Sequence, residues 1–135
     1  MNLKDKHILV TGASGFIGSF IVERALALGA TVWAAVRSTS SRRYLQDERI
    51  HFIELDLGND DRLREQLEAH RKTAGAWHYV IHAAGATKCR KADDFFRINT
   101  DGTERLARLL LATNTLQGRF VFISSLRVYG AVREE

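Results

Sequence analysis

Three glycines, Gly12, Gly15 and Gly18, stand three residues apart in the run Thr11-Gly12-Ala13-Ser14-Gly15-Phe16-Ile17-Gly18. Glycines at this spacing between a strand and a helix suit a bound phosphate. Gly12 would permit a tight turn, Gly15 would let the backbone approach a pyrophosphate, and Gly18 would let the helix pack closely on the sheet. The start of the helix would then offer N–H groups and the positive end of its dipole to the anion. The same spacing also occurs in ordinary strand-to-helix turns, so its meaning rests on context. No G-K-S/T accompanies it, which argues against an ATPase loop of the Walker type.

The loop needs a strand before it and a helix after it, and the hydropathy pattern supplies both. Residues 7–10 form a short apolar run that reads as a buried strand. Over 16–28 the period becomes helical, with Ile17, Ile21, Ala25 and Leu28 on one face and Gly29 as the stop. Further strands are predicted over 31–36, 50–55, 77–82 and 119–124. Helices are predicted over 60–70, where Leu63, Leu67 and His70 align, and over 93–113, with Asn99, Gly102, Leu106 and Leu109 on one stripe. Residues 37–47, rich in serine and arginine, read as a loop. Strands that are near-continuous apolar runs, alternating with helices, imply a parallel sheet covered on both faces. The expectation is one doubly wound α/β domain spanning 1–135, with no linker or repeat.

Composition narrows the class. The chain has 135 residues, one cysteine (Cys89) and no proline. A lone cysteine excludes an internally stapled secreted scaffold and favours a reducing, cytoplasmic setting. No apolar run reaches membrane-spanning length, and the charged N-terminus does not read as a signal peptide. The net charge of +4 is scattered and comes without any nucleic-acid-binding pattern, so neither nucleic acid nor membrane is expected as a partner. The five histidines lack ligand spacing, and no metal site is expected. Cys89, beside Lys88 and Arg90, reads as a plain thiol; Phe95 and Phe96 read as packing residues and Trp33 as sheet cover.

The glycine loop resembles that of the extended short-chain dehydrogenases, the epimerase/dehydratase family. Four further segments carry the resemblance in the same order: Leu55-Asp56-Leu57, Val80-Ile81-His82-Ala83-Ala84-Gly85, Ile98-Asn99-Thr100-Asp101-Gly102-Thr103, and Val121-Phe122-Ile123-Ser124-Ser125-Leu126-Arg127-Val128-Tyr129-Gly130. The resemblance implies a Rossmann-type sheet of strand order 3-2-1-4-5, with a nicotinamide cofactor across the switch point between strands one and four. It implies that Gly12, Ser14, Gly15, Phe16, Ile17 and Gly18 hold the pyrophosphate and that Ala83, Ala84 and Gly85 lie along the cofactor. Asn99 and Ser124 would stand beside it. Asp56 and the Leu57 N–H would contact the adenine, although Asp56 alone could equally be a turn or cap residue.

Strand two ends in Val36-Arg37-Ser38 with no acid to accept from a ribose 2′-hydroxyl. Arg37 can pair with a 2′-phosphate, so NADP is expected ahead of NAD, which remains possible; otherwise Arg37 simply opens a solvated loop. In the family a serine polarises the substrate oxygen while a Y-x-x-x-K pair moves the proton. Ser125 matches that serine. None of the three tyrosines, Tyr44, Tyr79 and Tyr129, is followed four residues later by lysine. The chain therefore reads as the cofactor half of a longer enzyme, truncated after strand five and inactive by itself. The alternative is a non-catalytic NADP-sensing or partner-binding module. The resemblance implies that the complete enzyme is a homodimer acting on a small molecule such as a nucleotide-sugar. The S-S-x-x-V-Y-G pattern favours an epimerase or dehydratase, and the V-R-S pattern a reductase.

Overall fold

A computed structural model describes residues 1–85 and 90–125. Five parallel strands make one sheet in the order β3-β2-β1-β4-β5, the expected Rossmann-type order. They are β1 (His7–Thr11), β2 (Thr31–Ala35), β3 (His51–Ile53), β4 (Trp77–His82) and β5 (Leu116–Phe122). Successive strand residues face opposite sides, and the core divides accordingly. Ile8, Val10, Val32 and Ala34 pack with Val22 and Leu26 of α1 (Phe16–Ala27). Leu9, Trp33, Trp77 and Val80 pack on the other face with Leu63 and Leu67 of α2 (Asp60–Ala74) and Leu106 and Leu109 of α4 (Gly102–Ala112). Each such leucine, fully buried, contributes about 1.5–3 kcal/mol.

Several boundaries and faces differ from the sequence expectation, β3 among them, which is His51–Ile53 where 50–55 was expected. The buried stripe of α1 is Gly18, Ser19, Val22, Ala25 and Leu26, rotated from the expected one, so Ile17 faces solvent. The close seat of Gly18, described below, sets that rotation. The helix α2 runs four residues beyond His70 because Arg71 to Ala74 are compatible with a helix until Gly75, whose φ of +81° ends it. Its start is capped as the sequence suits, with Asn59 Oδ1 accepting the Arg62 N–H at 3.0 Å.

The helix expected over 93–113 runs from Ala92 to Ala112 with a π-helical turn (Arg97–Asp101) between α3 (Ala92–Phe96) and α4, helical φ/ψ being kept at both joints. The Thr103 hydroxyl donates to the Asn99 carbonyl at 3.0 Å across this turn. Phe96 is 69% exposed and is not a packing residue among the described contacts. Finally, β5 starts three residues earlier than expected and ends two earlier. Gln117 and Gly118 hide its beginning in the hydropathy pattern, and its pairing with β4 shifts register between Trp77 and Tyr79.

Candidate nicotinamide-cofactor site

The C-terminal ends of β1 and β4 lie side by side, with Thr11 opposite His82. From that edge the chain turns through the glycine loop. Gly12 has φ +65°, and a Cβ there would lie 2.6 Å from the Ala83 carbonyl carbon and the Ala84 nitrogen. Only glycine fits both the conformation and the contact. A Cβ on Gly18 would overlap the Gly12 carbonyl oxygen. Gly18 therefore seats α1 on the loop itself, where the sequence reading had placed the contact on the sheet.

The loop is closed by Gly15 N–H to the Gly12 carbonyl, and the first helical turn by Ser19 N–H to the Gly15 carbonyl, both 3.0 Å. Ser14 is half-buried, whereas Gly15, Phe16 and Ile17 are exposed. No side chain caps the start of α1, and its first turn holds no acid. The positive end of the helix is thus not neutralised from within, which fits a phosphate bound there.

The remaining candidates come from the neighbouring loops. Arg37 follows β2, exposed, in a turn where its N–H donates to Ser40 Oγ at 3.0 Å. Its neighbour Arg42 is engaged elsewhere, its guanidinium 4.1 Å from the Phe52 ring centre. Asp56 is half-buried, and its Oδ1 accepts the Gly58 N–H at 3.0 Å, so the carboxylate does serve as a turn residue. The Asp56 N–H donates to Gln66 Oε1 at 2.8 Å, and Arg105 Nη1 donates to the Leu57 carbonyl at 2.8 Å. Arg105 and Arg108 both pair with Asp60; Arg108 first, then Arg105, holds that carboxyl below the ordinary carboxylate range. These contacts pin the Asp56-Leu57 segment between α2 and α4.

Ala83 and Ala84 lie against Gly12, and Gly85 lies against Asn99: a Cβ on Gly85 would be 3.2 Å from Asn99 Oδ1. Ser124 and Ser125 are exposed just beyond β5. Lys88, Cys89, Leu126, Arg127, Val128, Tyr129 and Gly130 lie outside the described residues. Among the described residues there is no group of His, Cys, Asp or Glu able to hold a metal ion, and no helix is long and apolar enough to cross a membrane.

Sequence reasoning passed over three side chains at the centre of this arrangement. His82 is 1% exposed. Its Nδ1 lies 2.6 Å from Thr11 Oγ1 and its Nε2 lies 2.8 Å from Thr103 Oγ1. Burial pushes its pKa down to about 4. Both His82 and Thr103 sit inside the quoted motifs, which was the available signal; treating the histidines only as possible metal ligands hid it.

A family model described as "NAD dependent epimerase/dehydratase family" matches residues 8–135. The chain belongs to the NAD-dependent epimerase/dehydratase family. Within it, a UDP-glucose 4-epimerase of Erwinia amylovora is 34% identical over 135 residues, covering 92% of this chain and 38% of that protein. A UDP-glucose 4-epimerase sequence of Klebsiella pneumoniae is 32% identical, covering 91% of each. The chain spans about a third of the length of several curated relatives it matches. Among solved structures, a short-chain dehydrogenase of Leptospira borgpetersenii with bound NAD+ superposes with a TM-score of 0.80 at 24% identity, covering 98% of this chain and 56% of that one. That likeness carries the fold.

Proposed function

We propose that this chain is the cofactor-binding portion of an extended short-chain dehydrogenase that prefers NADP to NAD. The observation that carries the reading is the fit of the glycine loop. Gly12 presses on Ala83 and Ala84, Gly18 presses on Gly12, and the uncapped start of α1 faces outward. Gly12, Ser14, Gly15, Phe16, Ile17 and Gly18 would hold the pyrophosphate. Asp56 and the Leu57 N–H would take the adenine, and Ala83, Ala84, Gly85, Asn99 and Ser124 would line the nicotinamide half. When bound, the dinucleotide supplies hydride transfer.

Arg37 would pair with the 2′-phosphate, since no acid stands at the end of β2 and Arg42 is drawn onto Phe52. Ser125 would donate a hydrogen bond to the substrate oxygen. The substrate of the whole protein would be a small hydroxy or keto compound, with nucleotide-sugars favoured by the two epimerase relatives. The exposed Phe96, on the helix that in this family commonly meets a partner subunit, supports a homodimer.

Calorimetric titration with NADP+ and NAD+ tests the preference. NADP+ is expected to bind more tightly, and Arg37→Ala should weaken NADP+ about tenfold while leaving NAD+ within about twofold. Tighter binding of NAD+ by the parent chain would overturn the preference.

A further inference from the structure

The glycine loop, the segment after β4 and the turn carrying Asn99 come from distant parts of the chain, and one buried residue, His82, is bonded to the supports of all three. Thr103 Oγ1 donates its single proton to the Asn99 carbonyl at 3.0 Å. Toward His82 Nε2, at 2.8 Å, that oxygen can therefore only accept, which places a proton on Nε2. The imidazole is buried between β1 and α4, with the rings of Phe120 and Phe122 each 5.9 Å away, and such surroundings keep it neutral. Nδ1 is then bare and accepts the Thr11 hydroxyl proton at 2.6 Å. The Thr11 oxygen in turn accepts the Ala84 N–H at 3.3 Å. The bonds run Ala84 N–H to Thr11, Thr11 O–H to His82, His82 N–H to Thr103, and Thr103 O–H to the Asn99 carbonyl.

We propose that His82, fixed as its Nε2–H tautomer, is a positioning residue that locks the glycine loop, the segment after β4 and Asn99 into the cofactor-competent arrangement. One end of the chain of bonds fixes Ala84, whose backbone lies against Gly12. The other end holds the π-helical turn from which Asn99 reaches Gly85. An apolar side chain of similar size could fill the space beside Phe120 and Phe122, yet it would leave the Thr11 and Thr103 hydroxyls without their common partner. The two-sided demand, an acceptor toward Thr11 and a donor toward Thr103, is one that a neutral imidazole meets. This proposal rests on the cofactor reading above.

The test is NADP+ titration of the parent chain, Thr103→Val and Thr103→Ser, with thermal unfolding of each and nitrogen-15 spectra of the parent's histidine rings at neutral pH. Thr103→Val keeps the shape but removes the hydroxyl; it should weaken NADP+ about tenfold, and Thr103→Ser should return to within about twofold of the parent. The spectrum should show His82 protonated at Nε2 and bare at Nδ1. Equal affinity of Thr103→Val and the parent, failure of Thr103→Ser to restore binding, or a His82 ring protonated at Nδ1 would each overturn the proposal. Should Thr103→Val not fold, the serine variant and the ring spectrum still decide. A parent chain that binds neither NADP+ nor NAD+ would overturn the cofactor reading, and this proposal with it.

Discussion

Gly12→Ala is expected to abolish dinucleotide binding and to destabilise the fold by about 2–6 kcal/mol. Two costs combine. The backbone at Gly12 has φ +65°, where a side chain is strained. The added methyl would also sit 2.6 Å from the backbone of Ala83 and Ala84, atoms that cannot swing aside as a flexible side chain would. Relief requires β1 and β4 to part at Thr11 and His82, which distorts the loop whether or not the core survives. Chemical denaturation together with NADP+ titration measures both effects. A variant with parent-like stability and affinity would show that the loop is not packed as described.

Acid should loosen the molecule in a defined window. His70 and His82 are buried, and burial is the main cause that lowers each from 6.5 to about 4; for His70 the nearby His7 adds a smaller push. The unfolded chain, with histidines near 6.5, takes up protons below that pH that the folded chain refuses. Stability is therefore fully present above about pH 6.5 and falls as the pH drops toward 4, by about 3 kcal/mol for each histidine. Asp47 and Asp60 are also held low, Asp47 at about 2 by Arg49, and they lose their contribution only at more acid pH. Urea unfolding midpoints between pH 7.5 and 4 should decline, and His70→Gln should flatten part of the slope. A midpoint constant across that range would contradict the burial of both rings.

The strand order and the glycine loop were legible because each depends on short-range pattern. Apolar runs such as Ile8-Leu9-Val10 have few other places to go, and three glycines in a strand-to-helix turn mark close backbone approach. What escaped the sequence depends on contacts across the chain. The rotation of α1 follows from Gly18 meeting the Gly12 carbonyl, and hydropathy records no such contact. The π-helical turn inside the long helix, Arg97–Asp101, likewise leaves no mark in the hydropathy pattern. Asp56 had two readings in sequence, and its bond to the Gly58 N–H establishes the turn role. His82 was hidden most fully, because neither partner, Thr11 or Thr103, is near it in the chain.

Backbone amide spectra of the nitrogen-15-labelled chain, recorded through a titration with NADP+, test the central claim most directly. Saturable shifts should concentrate at Gly12 to Gly18, Arg37, Asp56 and Leu57, and Ala83 to Gly85, the segments that meet at the C-terminal edge of the sheet. Absence of saturable shifts, or shifts gathered at the opposite edge around His7 and His78, would contradict it.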